Sequence, residues 1–290
     1  MPLVQMDLAS QDGPKARECA TLPGGFKGRG VYRAAHQHLL KRLREGCLPH
    51  RNCLVGPSKL ALLVEVGAFP GQSSCVMAQL LLATPKAQRA HLRFHVVDRF
   101  GGPRSFPSAK PAVLEAIYSY GSSHAVWAKN MIDTGSMQGI DQVSRASSVD
   151  RTLLSQYAND SVAFMYLDTS HSDRMTRLEL AAWWPKIQDG GWLCGANYCR
   201  PSERPAVDHF FQRARVQVHY WGHSQFCAGK GVDASPRGSK ASLTQERGGG
   251  NSTGAGGACE AHGSTVRRGG THRRSNVSAA RPSTTGVDRV

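Results

Sequence analysis

The chain has 290 residues, with 36 Lys and Arg against 21 Asp and Glu, a net charge of +15 and 40% apolar residues. That apolar share lies below the roughly 45–50% of an ordinary globular domain, as when a folded region is diluted by polar chain. Its mostly apolar stretches run about ten residues, short of the roughly 18 that a spanning helix needs, which excludes a transmembrane protein.

Residues 1–30 contain Gly and Pro without periodicity and read as a loose lead-in. They carry Asp7, Asp12 and Glu18 and no apolar run, which argues against a cleaved signal or an acid-poor transit peptide. Residues 31–46 predict a helix with Leu39, Leu40 and Leu43 on one face and Gly46 as a stop. Its basic side reads as a solvated face rather than a nucleic-acid contact. Leu60–Val64, extended by Glu65 and Val66, is a first strand. After a Gly-bearing turn, Val76, Met77, Leu80 and Leu81 share a helix face that Thr84-Pro85 ends. Phe94–Val97 is a second strand and stops at Asp98. Residues 99–135 are partly helical, including His124–Met131, and are expected to cover an acceptor site.

Ile140–Ala146 is a weak third strand and Val149–Tyr157 a short helix. Val162–Leu167 is apolar on both faces, as a central parallel strand must be. A helix follows over Met175–Ile187, with Trp183 and Trp184 facing the core, then the Gly190-Gly191 pair and a strand at Trp192–Gly195. Pro205 opens a helix that carries Val207, Phe210, Phe211 and Ala214 at i, i+3, i+4 and i+7. Val216–Trp221 alternates as an edge strand does. Residues 231–290 hold 12 of the 31 glycines, no Phe, Trp, Tyr, Ile or Met, and nine basic against four acidic residues. Such a segment cannot bury enough apolar surface to offset chain entropy, so a disordered tail is expected there.

Strands alternating with helices predict an α/β fold, Rossmann-like, with a mostly parallel sheet over residues 31–230. Ligands of such sheets bind at the carboxyl ends of the strands. Four segments fall there. Glu65-Val66-Gly67-Ala68-Phe69-Pro70-Gly71-Gln72-Ser73-Ser74 joins strand to helix; Gly67 permits a tight turn, and Gly71 and Ser73 stand at a helix N-terminus. It is neither the GxGxxG of dinucleotide sites nor a Walker A loop, which disfavours a nicotinamide oxidoreductase. Asp98 ends the second strand, where a carboxylate can accept two bonds from a ribose diol. Asp168 and His171 follow the fourth strand; His171 suits general-base work near neutrality. Asn197 and Tyr198 follow the fifth and are placed against substrate.

These segments together resemble class I S-adenosylmethionine-dependent methyltransferases, in particular the small-molecule and sugar O-methyltransferase-like group. The motifs are VEVGAFPGQSS at 64–74, the acid of HVVDRFGG, LDTSHSDRMTRLELAAWWPKIQDGG at 167–191 and AVDHFF at 206–211. The resemblance covers roughly residues 55–230. It implies S-adenosyl-L-methionine as cofactor and transfer of its methyl group to an oxygen of a small-molecule acceptor. Glu65, Gly67, Ala68, Gly71, Ser73, Asp98 and Asp168 would hold the cofactor, with Ser147 and Ser148 lining the adenine and His171 and Asp168 catalytic. Metal-dependent relatives carry an acid where this chain has Asn197, a poorer ligand for a hard cation, so no metal is expected. That departure also supports a second reading, a catalytically degenerate binding module. The net charge supports a third, a nucleic-acid-associated protein, against which stands the lack of an RRM or zinc-finger pattern.

The eight cysteines, Cys19, Cys47, Cys53, Cys75, Cys194, Cys199, Cys227 and Cys259, form neither CxxC nor a zinc spacing. They read as free thiols of a reducing compartment, in keeping with a cytoplasmic protein.

Overall fold

The computed structural model describes residues 18–22, 28–44, 60–103, 111–221 and 224–231. Seven strands form one sheet: β1 (Ala61–Val66), β2 (Leu92–Asp98), β3 (Gln142–Arg145), β4 (Val162–Leu167), β5 (Ile187–Gly195), β6 (Val218–Trp221) and β7 (Gln225–Gly229), in the order β3-β2-β1-β4-β5-β7-β6. The pairs β3–β2, β2–β1, β1–β4 and β4–β5 are parallel, while β7 runs antiparallel to both β5 and β6. The order reverses between β1 and β4, and such a switch point opens a crevice at the carboxyl ends of the strands.

The central strands are apolar on both sides because helices cover both sides. On one face Leu63, Phe94, Phe164 and Tyr166 pack with Tyr32 and Leu39 of α1 (Arg29–Arg44), Met77 of α2 (Gln72–Leu82) and Trp127 and Met131, which lie on the later helix Ser123–Asp133. On the other, Val64, Val97, Met165 and Leu193 meet Leu153, Leu180, Trp183 and Phe211. The remaining helices are α3 (Lys86–Arg89), α4 (Pro111–Tyr120), α5 (Ser123–Asp133), α6 (Arg151–Ser155), α7 (Asp173–Trp183) and α8 (Arg204–Arg213). Side-chain caps set several starts: Ser122 Oγ accepts from Ala125 N at 3.1 Å, Asp150 Oδ1 from Leu153 N at 2.9 Å and Ser172 Oγ from Met175 N at 3.3 Å.

Three sequence expectations need correction. The helix after β4 stops at Trp183, and Ile187 already begins β5, so the Gly190-Gly191 pair lies inside that strand. The β4–β5 register slips there, and a Cβ on Gly191 would stand 2.9–3.0 Å from the carbonyls of Gln188, Ala163 and Val162. The antiparallel β7 was not anticipated; it is short, and the alternation of β6 alone does not announce a partner. The expectation of free thiols fails: Cys19 is bonded to Cys75, Cys194 to Cys227 across the β5–β7 pair, and Cys199 is disulfide-bonded as well. The first bridge ties the lead-in to α2 over a separation of 56 residues, worth on the order of 4 kcal/mol by the chain-entropy relation. The expected tail at 231–290 lies, apart from Gly231, outside the described residues, as does most of the lead-in at 1–30.

One carboxylate is buried within this core. Glu65 on β1 is 1% exposed. Tyr32 donates to its Oε1 at 3.2 Å and Ser74 to its Oε2 at 2.5 Å, while Trp127 Nε1 donates to Ser74 Oγ at 3.1 Å. The chain of bonds joins α1, β1, α2 and α5. Desolvation pushes the Glu65 carboxyl from the ordinary 4.5 to about 7, against the opposing bonds from Ser73, Ser74 and Tyr32. Folded Glu65 thus keeps its proton across a window where the unfolded carboxyl has released it. The folded state loses stability as pH rises through that window. We predict that Glu65 makes the folded state about 2 kcal/mol more stable at pH 5.5 than at pH 8, and that Glu65→Gln removes this part of the pH dependence. Denaturant midpoints at the two pH values check this; an unchanged pH slope in the variant contradicts it.

Candidate functional site

Past the carboxyl ends of β1, β2, β3 and β4 lies a cleft of about 300 Å³. Val66, Val97 and Ala146 give it apolar walls; Asp98, Ser147, Asp168, Thr169 and Glu179 give it polar ones. The size is that of a small-ligand site. Its geometry begins with Gly67, held at φ +88°, where a Cβ would stand 1.9 Å from the carbonyl oxygen of Asp168. Only a residue without a side chain lets the β1 turn close on the β4 end.

Asp98 lines the cleft and also holds it together. Its Oδ2 accepts from Ala68 N at 2.8 Å and Phe69 N at 3.0 Å, and its Oδ1 from Phe100 N at 2.6 Å. A carboxylate offers about four acceptor positions, so three are taken and one remains on Oδ1. The expected pair of bonds to a ribose diol therefore reduces to one at this carboxylate.

The other predicted residues divide into those at the cleft and those turned from it. Gly67, Asp98, Ser147, Ser148 and Asp168 line it. Glu65 does not: its carboxylate is bonded within the core to Tyr32 and Ser74. Ser73 is buried and bonds the same carboxylate. Ala68 is buried and contributes only its amide to Asp98. Gly71 sits at φ +107° beneath Trp127 and Met131, whose atoms a Cβ there would meet at 3.1 and 2.8 Å. Tyr198, expected against substrate, is engaged elsewhere: its hydroxyl donates to Asp208 Oδ1 at 2.7 Å and lies 2.9 Å from the Tyr220 hydroxyl.

Asp168, His171 and Asn197 do come together, although of the three only Asp168 is among the residues that line the cleft. Asn197 Nδ2 donates to Asp168 Oδ1 at 3.3 Å and lies 3.0 Å from His171 Nε2, which is itself 3.3 Å from Asp168 Oδ1. Desolvation pushes the Asp168 carboxyl up to about 6, with His171, Arg200 and the Asn197 bond pulling the other way. His171 and Asn197 both hold left-handed backbone, at φ +55° and +60°. Such conformations in non-glycine residues gather at functional sites.

Two acids escaped the sequence reading. Glu179 of α7 is buried at the cleft wall, accepting from Ser148 Oγ at 2.5 Å and Thr169 Oγ1 at 2.7 Å, so it pins the loops after β3 and β4 to each other. Burial raises its carboxyl above the ordinary range. The available signal was an acid three residues after Thr176 and four before Trp183, on the helix face that packs inward. Glu203, before α8, has its Oε1 3.1 Å from His171 Nδ1; nothing local in sequence marks it. Among the described residues no group of three His, Cys, Asp or Glu is arranged to hold a metal ion.

Residues 64–198 match the family model described as a methyltransferase domain. The strand order and the antiparallel β7 make the fold a Rossmann-like α/β sheet. No curated protein matches the sequence. Among solved structures it is similar to the O-methyltransferase NovP, at 16% identity and a TM-score of 0.43, covering 69% of this chain and 79% of that one. It is similar also to a TDP-rhamnose 3'-O-methyltransferase of calicheamicin biosynthesis, at 15%, 0.44, and 70% and 79% coverage. A third is TomG from Streptomyces achromogenes, solved with SAM, at 14%, 0.38, and 73% and 93% coverage. Likenesses this distant bear on neither substrate nor chemistry.

The Gly67 contact gives a direct test. Gly67→Ala should destabilise the fold by about 3 kcal/mol or more, because both the left-handed backbone and the approach to Asp168 exclude a methyl. Urea unfolding measures it, and a loss under about 1 kcal/mol would show that the two loops do not close as described.

Proposed function

We propose that the protein is an S-adenosylmethionine-dependent methyltransferase acting on a hydroxyl oxygen of a small molecule. The observation that carries this reading is the cleft at the β1–β4 switch point, edged by Asp98 and Asp168 and lying within the segment matched by the methyltransferase model. The donor set suits the cofactor. Asp98 offers its remaining acceptor position to a ribose hydroxyl, and Val97 and Ala146 with Ser147 offer a half-apolar slot for a purine. Three carboxyl side chains, those of Asp98, Asp168 and Glu179, line a space that would receive a cationic ligand. When bound, the cofactor supplies an electrophilic methyl group on a sulfonium. The chain's own part is to align the acceptor and take its proton, and most of the acceleration then comes from positioning. His171 accepts at Nε2 the proton that the acceptor hydroxyl loses as its oxygen takes the methyl group.

The acceptor is a small molecule such as a sugar or phenol in this reading, and nucleic acid is not the substrate. The folded region is a single domain over 31–230. No described helix is long and apolar enough to cross a membrane. Disulfides form and persist in oxidising surroundings, so Cys19–Cys75 and Cys194–Cys227 weigh against the cytoplasmic location expected from the sequence.

Asp98→Ala is expected to weaken S-adenosylmethionine binding about 10- to 100-fold, the worth of a hydrogen bond to a charged group plus the loosened loop amides. Calorimetry reads it, and equal affinity would remove Asp98 from the site. His171→Ala should lower turnover about 100-fold or more at unchanged cofactor affinity. Acceptors for that assay come from a panel of sugars and phenols with transfer followed by S-adenosylhomocysteine release. Cofactor binding with no transfer to any acceptor in wild type would favour the degenerate binding module instead.

A further inference from the structure

We propose that Glu179 reads the purine of the cofactor, accepting a hydrogen bond from its exocyclic 6-amino group. The proposal rests on the reading of the cleft as an S-adenosylmethionine site and assigns the side chain that selects adenine there.

Glu179 is buried with only part of its bonding capacity used. It is 2% exposed. Among the described residues its hydrogen-bond partners are two hydroxyls, Ser148 Oγ on Oε1 at 2.5 Å and Thr169 Oγ1 on Oε2 at 2.7 Å. A carboxylate offers about four acceptor positions, so one remains on each oxygen. Buried polar groups are as a rule hydrogen-bonded, and a charged one needs it most. Ser148, Thr169 and Glu179 all line the cleft, so a ligand there can supply the missing donor. The place of Glu179 selects which part of the ligand that is. Ser148 directly follows Ala146 and Ser147, which with Val97 line the slot assigned to the purine, while Asp98 ends β2 on the ribose side. The helix α7 is fastened to that same loop twice, by the Glu179–Ser148 bond and by Trp183 Nε1, which donates to the Ser148 carbonyl at 2.8 Å. This fastening sets Glu179 beside the base slot. On adenine N7 accepts and the exocyclic amine donates, so an acceptor-only side chain engages the base through that amine. The two hydroxyls hold the carboxylate in place beforehand, which lowers the cost of ordering it when the ligand arrives.

A Glu179 that only ties two loops together would, when replaced, weaken every ligand of the cleft alike. A Glu179 that reads the base would change the preference between bases. Calorimetry with S-adenosylhomocysteine, and with the analogue that carries hydrogen in place of the 6-amino group, measures that preference. Burial raises the Glu179 carboxyl, so the titrations are run at pH 8. Wild type is expected to bind the adenine compound about 15- to 100-fold more tightly, as for a hydrogen bond to a charged group. Glu179→Gln keeps an uncharged acceptor, and its preference should fall at least about threefold below that of wild type. Glu179→Leu has no acceptor, and the two compounds should bind within about twofold of each other. A wild-type preference under about threefold overturns the proposal, and so does a preference in either variant equal to that of wild type. If Glu179→Leu does not fold, Glu179→Gln decides. Failure of wild type to bind either compound would overturn the cofactor reading itself, and so is distinguishable from a failure of Glu179 to read the base.

Discussion

The contact between Gly67 and the carbonyl of Asp168 organises the rest of the site. With no side chain at position 67, the turn after β1 presses directly on the end of β4. That closeness puts Asp98, reached through the amides of Ala68 and Phe69, and Asp168 on the rim of one cleft rather than on two separate loops. A methyl group would force the two strand ends apart and with them the two acids. The sheet supplies the approximate placement, because parallel strands end at one side. The glycine supplies the last few ångströms.

Around this contact the protein has buried carboxyls, and each is handled by a different local device. Glu65 lies under the cleft with hydroxyl donors from Tyr32 and Ser74 and is driven towards neutrality by its surroundings. Glu179 receives hydroxyls from two loops. Glu203 faces His171 and Thr176. Asp98, Asp168 and Glu179 line the cleft while also serving as struts. Burying an acid costs several kcal/mol unless it is hydrogen-bonded, so these bonds are conditions of folding. The same bonds orient the loops around the cleft. Positive charge is sparse here: among the described residues that line the cleft Arg99 is the one Lys or Arg, and Arg200 acts on Asp168 from nearby.

Much of this was legible from residue order because it depends on local patterns. Continuous apolar runs such as Val162–Leu167 mark central parallel strands, and polar residues just beyond them mark the crevice, which located Asp98, Asp168 and Ser147. What was not legible is the direction in which a side chain turns. Glu65 and Ser73 sit in the right segment yet face the core, because Tyr32, thirty-three residues before Glu65, brings a hydroxyl there. Tyr198 sits next to Asn197 yet turns to Asp208 and Tyr220, residues that a later helix and strand bring there. Glu203 meets His171 across a separation of 32 residues, and the Cys194–Cys227 bridge depends on a strand, β7, whose pairing is antiparallel and non-local. Pairings over such distances are set by the fold, which a single sequence does not display.

The backbone at His171 and Asn197 connects stability to chemistry. Each holds a left-handed conformation that an L residue adopts at a cost of order 1–3 kcal/mol, somewhat less for Asn, whose short polar side chain tolerates it. Such a cost is sustained only where neighbours over-determine the geometry. At His171 they do so through Ser202 on its carbonyl and Glu203 on its ring. At Asn197 the Arg200 amide donates to the carbonyl at 2.8 Å, while the side chain spans Asp168 and His171. The segment 200–203 thus braces both strained residues at once, from outside the cleft. A glycine at either position would relieve the strain and lose the side chain. Retaining His and Asn in that conformation keeps an imidazole and an amide beside Asp168.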